Sequence, residues 1–145
     1  MGYNATTTCA TSPVANTLMS CLPADLRAVM KPIIKWTDNI GGSGNTEEKV
    51  TAMIDYLPLL AEFEIFGTRT NANSFEQNYQ AQYEYYSTGN GKIKYMHSVT
   101  SSAAHWWERS PRYDHATSFC YVTKIGKANY SGTYFIYGIA PILLV

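Results

Sequence analysis

Charge is scarce in this chain. Lys, Arg, Asp and Glu make up 15% of its 145 residues, well under the usual quarter. The 11 basic and 11 acidic residues cancel. There is no basic field for nucleic acid and no polybasic patch for a membrane surface. No apolar run approaches the roughly 20 residues that span a bilayer. Cysteine is sparse too: Cys9, Cys21 and Cys120. An odd count without C-x-x-C spacing argues against a disulfide framework and against a zinc site. A Cys9–Cys21 bridge stays open beside free thiols in a reducing compartment. The start, Met1 to Thr6, lacks a basic region and an apolar stretch, and reads as having no secretory signal. Thr6 fits a myristoylation pattern, and Asn4 and Asn129 open glycosylation patterns; neither match carries weight here.

Catalytic signatures are missing as well. His97, His105 and His115 fall in no metal-ligand spacing. There is no nucleophile elbow, no phosphate-cradling loop and no paired-carboxylate motif. Asp114, His115 and Cys120 could be drawn as a thiol triad, but they sit on a loop and strand with nothing to orient them. The expectation is a chain that is not an enzyme and needs no cofactor, calcium or zinc.

Aromatic residues are the positive signal. His105-Trp106-Trp107-Glu108-Arg109-Ser110-Pro111 sets two tryptophans side by side. Neighbours in a strand point to opposite faces, so one Trp enters a core while the other meets a second layer. Arg109 beside them suits backbone carbonyls or a carboxylate. Pro111, lacking an N–H, is expected to stop strand pairing. From 113 to 137 the chain alternates Tyr and Phe with Ser, Thr, Asn, Asp, His and Gly. Tyr offers large contact area for few rotatable bonds, and small polar residues offer adaptable hydrogen bonds. An ordinary aromatic sheet surface would have the same composition.

The length fits one domain, with residues 1–20 as a polar arm or linker and 21–145 as the folded part. Pro23 to about Lys35 predicts a first helix, its stripe Leu22, Leu26, Val29, Met30 and Ile33. Pro32 kinks or ends it, so Ile33 to Thr37 can already be extended. Residues 38–45 read as a loop and Val50 to Tyr56 as a strand. The run from Leu57 to Phe66 is ambiguous but buried. Ser74 with Gln77 predicts a capping box opening a second helix that stops at Gly89. Its stripe Phe75, Tyr79, Tyr83 and Tyr86 reads as core. Strands follow at Gly91–His97, His105–Arg109 and Ser118–Thr123, with a hairpin turn at Gly126. Tyr134–Tyr137 and the apolar Ile139–Val145 are expected to close the sheet. Helices early and strands late predict an α+β fold.

Trp106-Trp107-Glu108-Arg109-Ser110-Pro111, then Ser118-Phe119-Cys120-Tyr121-Val122 and Gly138-Ile139-Ala140-Pro141, resemble the C-type-lectin-like domains of bacteria and phage that carry W-W-x-R-S-P and G-V-x-P motifs. Upstream, Asp55 to Glu62, Gly67-Thr68-Arg69 and Asn73 to Gln80 look like phage virion members of that group. The resemblance covers residues 20–145. It implies a C-type-lectin-like fold with two helices and a mostly antiparallel, twisted sheet. Some such domains are variable proteins of diversity-generating retroelements, in which adenine-directed mutagenesis varies a C-terminal segment displayed for ligand binding. Such mutagenesis does not yield Trp, Glu, Gln or Met, and residues 113–145 contain none of them. Lys124, Lys127 and the aliphatic tail depart from the pattern, and the lectin calcium motifs are absent.

The resemblance implies a display surface of Tyr113, Asp114, His115, Thr117, Tyr121, Thr123, Asn129, Tyr130, Thr133, Tyr134, Phe135 and Tyr137. Trp106, Trp107 and Arg109 would be frame residues. The partner would be a protein or glycan receptor on a cell surface, with no nucleic acid and no membrane insertion. The setting would be a phage virion or bacterial surface, as a homo-oligomer or among virion neighbours. The alternative is a structural virion module whose C-terminal sheet packs on neighbouring subunits.

Overall fold

Proline and glycine set many of the element boundaries. In the computed structural model, which describes residue 15, residues 17–42 and residues 44–145, Pro23 caps α1 (Ala24–Val29). The proposed arm and Cys9 lie largely or wholly outside the described residues. Helix α1 is shorter than predicted: Met30 is already extended, with φ −65° and ψ 140°. Pro32 cannot donate a helical bond, and β1 (Ile33–Asp38) starts directly after it. β2 (Val50–Asp55) pairs with β1 in a two-stranded ribbon.

The ambiguous stretch resolves into buried extended chain and a short helix, α2 (Glu62–Phe66). Gly67 ends α2 at φ 68°, a left-handed conformation that glycine adopts without a Cβ clash. The predicted second helix is not continuous. A 3-10 turn covers Ser74–Asn78, and α3 is only Glu84–Ser87. Between them the chain bonds to its neighbours instead of to itself. Gln80 Nε2 donates to Trp36 O at 2.7 Å, Gln82 Nε2 to Ile65 O at 3.0 Å and Tyr83 N to Glu64 O at 2.9 Å. The tyrosine stripe is therefore not a core face: Tyr86 is buried, but Tyr79 is 40% and Tyr83 37% exposed. The cap is Asn73, whose side chain accepts from Phe75 N, in place of Ser74.

β3 (Lys94–Tyr95) and β4 (Ala103–Ala104) form a small antiparallel hairpin. The main sheet has the order β7-β6-β5-β8. β5 (Trp106–Pro111) pairs antiparallel with β6 (Ser118–Val122), and β6 with β7 (Ala128–Gly132). β8 (Gly138–Ile139) runs parallel to β5. Three expectations change here. Pairing continues through Pro111, opposite Phe119, because the register shifts after Trp107; a bulge re-aims the strand. The third strand is Ala128–Gly132, not Tyr134–Tyr137, because the tight turn at Gly126 returns the chain at once. The apolar tail is no core strand either: Leu143, Leu144 and Val145 are exposed, and Leu144 makes only a bridge to Lys31.

The architecture is α+β, with few short helices. By contacts the chain divides into two units. The first, Met1–Lys35, Ala52–Pro58 and Pro141–Val145, holds an apolar cluster of Met19, Met30, Tyr56 and Leu57, flanked by Leu18, Leu22 and Leu26. The second, Trp36–Thr51 and Leu59–Ala140, contains the main sheet.

Candidate functional site

Around β5 lies a frame of buried acids. Arg109, on β5, donates Nη1 to Glu64 Oε2 at 2.6 Å and Nη2 to Glu64 Oε1 at 3.0 Å. It also reaches Leu59 O at 2.8 Å and Trp36 O at 3.2 Å. The Glu62 carboxylate accepts from the backbone N–H groups of Thr70, Asn71 and Ala72 and from Asn71 Nδ2, at 2.8–3.1 Å. Glu76 accepts from Thr37 Oγ1, Asp38 N and Ser110 Oγ. Buried charge is tolerated only when paired or hydrogen-bonded in this way. The frame pins the 67–73 turn, residues 36–38, α2 and β5 to one another within the second unit.

Glu108 is different. It is buried, and neither carboxyl oxygen has a hydrogen-bond partner. Burial pushes its pKa well above the ordinary range; nearby Glu62 and Glu76 push the same way and Arg109 opposes them. Burial likewise pushes the Cys120 thiol well up, helped by Glu108, Glu62 and Glu76. A raised thiol is a poor nucleophile, and Cys120 Sγ faces Pro111 O at 3.9 Å instead of a base.

Strand alternation divides the two tryptophans as the sequence implies. Trp106 is buried opposite Val122, and its Nε1 donates to Lys92 O at 3.0 Å. Trp107 is only half-buried and sits opposite Tyr121. Around it gathers an aromatic face. Tyr137 lies 4.7 Å from both Trp107 and Tyr121 and 4.9 Å from His105. Phe135 stacks on Tyr137 at 5.6 Å, and Tyr134 meets Phe135 at 4.5 Å. The outer members are open: Tyr134 is 81%, Phe135 44% and Ile136 97% exposed.

The structure does not bring all twelve proposed display residues together. Tyr121 is only 7% exposed, because Trp107, His105 and Tyr137 cover it; it supports the face more than it displays. Asn129, exposed, pairs with Tyr121 across the sheet. Thr123 Oγ1 accepts from Lys127 N and closes the β6–β7 turn. Tyr130 pairs with Cys120, so its side chain leaves on the opposite side of β7 from that of Asn129. There it forms a second cluster. Arg112 lies over the Tyr130 ring at 3.4 Å and binds Asp114, while His115 stacks beyond at 6.5 Å. Arg69 covers Tyr113 at 4.7 Å. Thr117 and Thr133 meet through Thr133 N and Thr117 O at 3.2 Å.

His105, Arg69 and Arg112 were not singled out by sequence for these clusters. Strand alternation could have found His105, two residues before Trp107. Nothing in the sequence pattern marks the arginines. The buried acids were also missed, since isolated Glu residues look like surface residues. Among the described residues no group of three or more His, Cys, Asp or Glu is placed to hold a metal ion. No helix among them is long and apolar enough to cross a membrane.

An α+β chain with an aromatic sheet face and a hydrogen-bonded acid frame is the class these observations define. Residues 15–145 match the model of a domain of unknown function, DUF6273. The chain belongs to that family. No curated protein and no solved structure matches it.

Proposed function

We propose that this chain is a ligand- or receptor-binding display domain of C-type-lectin-like type, carried on a phage virion or bacterial surface. The observation that supports it best is the division of labour between frame and face. Arg109 and Glu64 are buried and bonded to each other, and Glu62, Glu76 and Trp106 are buried and bonded to neighbouring backbone and side chains. Tyr134, Phe135, Ile136 and Tyr130 lie outside that network and are open to solvent. Side chains that the frame does not need are free to vary with the ligand. Exposed aromatics also supply rigid contact area at low entropic cost. The partner is a protein or glycan on a cell surface, bound by shape, tyrosine contact and hydrogen bonds, with no catalytic step and no cofactor.

The test is the DNA around the gene. The display reading expects a reverse transcriptase gene and a near-copy of the codons for residues 105–145, differing chiefly at adenines. It also expects population variation at Tyr130, Tyr134 and Phe135 and none at Trp106 or Arg109. Variation spread evenly over frame and face would favour a structural virion module instead.

A further inference from the structure

On the second unit, away from the aromatic face's own residues, Asn45, Thr46, Glu47, Glu48, Phe75 and Tyr79 line an open concavity of about 710 Å³. Its two walls, 45–48 and 74–79, are tied together from beneath. Asn73, fully buried, donates Nδ2 to Thr46 O at 2.9 Å and to Asp38 Oδ2 at 3.0 Å, and its Oδ1 accepts from Phe75 N at 3.1 Å. Asn45 Oδ1 accepts from Ser74 N at 2.9 Å. The Tyr79 hydroxyl donates to Glu47 Oε1 at 2.7 Å. Tyr79 also stacks on Trp36, with centroids 4.7 Å apart and planes 13° from parallel. The walls are therefore fixed before any ligand arrives.

The chemistry of the lining is one-sided. Two aromatic rings stand beside two exposed carboxylates, Glu47 and Glu48. Among the described residues neither carboxylate forms a salt bridge with a lysine or arginine. The adjacent cation, Lys49, is buried and donates its ammonium to Gly42 O and Gly44 O. Aromatic faces and carboxylates both attract a cation, and an alkylated or planar cation also gains apolar contact with the rings. We propose that this concavity is a second binding site, specific for an organic cation of the guanidinium or alkylammonium type. It stands independently of the display reading.

The test uses the full chain and the ring resonances of Phe75 and Tyr79 in NMR titrations. The probes are Nα-acetyl-arginine amide, tetramethylammonium chloride, an acetyl-Gly-Arg-Gly amide peptide and, at equal ionic strength, sodium chloride. Saturable shifts with the organic cations, absent with sodium, support the site. Equal binding of free cation and peptide identifies a small-molecule cation as sufficient, and binding of the peptide alone identifies a protein side chain as the source. The double variant Glu47→Gln, Glu48→Gln keeps an acceptor for the Tyr79 hydroxyl. It should weaken binding about tenfold, and Tyr79→Leu about fivefold. The proposal is overturned if the shifts are linear in concentration and equal for sodium, or if the double variant, still folded by its amide spectrum, binds the cations unchanged.

Discussion

Arg109 and Glu64, 45 residues apart in sequence, meet in a two-pronged ion pair at 2.6 and 3.0 Å with both side chains almost wholly buried. A guanidinium matches a carboxylate's two oxygens, and a lysine ammonium does not. Removing one partner leaves the other charge buried and uncompensated. Arg109→Met should therefore cost about 3–5 kcal/mol in unfolding free energy, and Arg109→Lys should recover only part of it. Denaturant unfolding of the two variants checks this; equal stability of Arg109→Met and the parent would contradict it.

The adjacent tryptophans should behave unequally. Trp106 is buried, and Trp107 is half-buried on the aromatic face. Trp106→Ala should cost about 3–5 kcal/mol, and Trp107→Ala clearly less. Equal losses in a guanidinium titration would mean that the two faces of β5 are equally interior.

Glu108 gives the stability a pH dependence of definite sign. Its folded pKa lies above the unfolded value near 4.5, so the folded chain binds the extra proton. Stability is full below that value and falls as pH rises. Asp55 and Glu76, also raised by burial, act in the same direction. Glu108→Gln removes the largest contribution. It should flatten the fall in stability that sets in as pH rises above the unfolded value near 4.5. Parallel profiles for parent and variant would rule out this role.

The cysteines should differ in reactivity. Cys21 and Cys120 are free, the first exposed and the second buried with a raised pKa. Peptide mapping after brief treatment with a thiol reagent should find Cys21 modified and Cys120 intact until the chain is unfolded. Rapid modification of native Cys120 would contradict its burial.

What the sequence disclosed follows from local rules. Alternation separated Trp106 from Trp107, Gly126 marked the β6–β7 turn, and Pro32 stopped the first helix. The helix expected from Ser74 to Gly89 failed because helical spacing of aromatics says nothing of Gln80 and Gln82, whose amides bind distant carbonyls. The acid frame was hidden for a related reason. Glu62, Glu64 and Glu76 are ordinary surface residues in composition, and only tertiary partners more than 30 residues away make Glu64 and Glu76 interior. In the display set, strand pairing sent Asn129 and Tyr130 to opposite sides, which composition cannot reveal.

The central claim is that the exposed aromatics serve binding and not folding. The most direct measurement combines Tyr130→Ser, Tyr134→Ser and Phe135→Ser in one variant. It is assayed in parallel for unfolding free energy and for binding to a panel of intact bacterial cells and immobilised glycans to which the parent chain binds. The account predicts a stability change within about 2 kcal/mol, the range of ordinary substitutions away from the core, together with loss of that binding. Loss of cooperative unfolding, or binding retained at the parent's level, would contradict it.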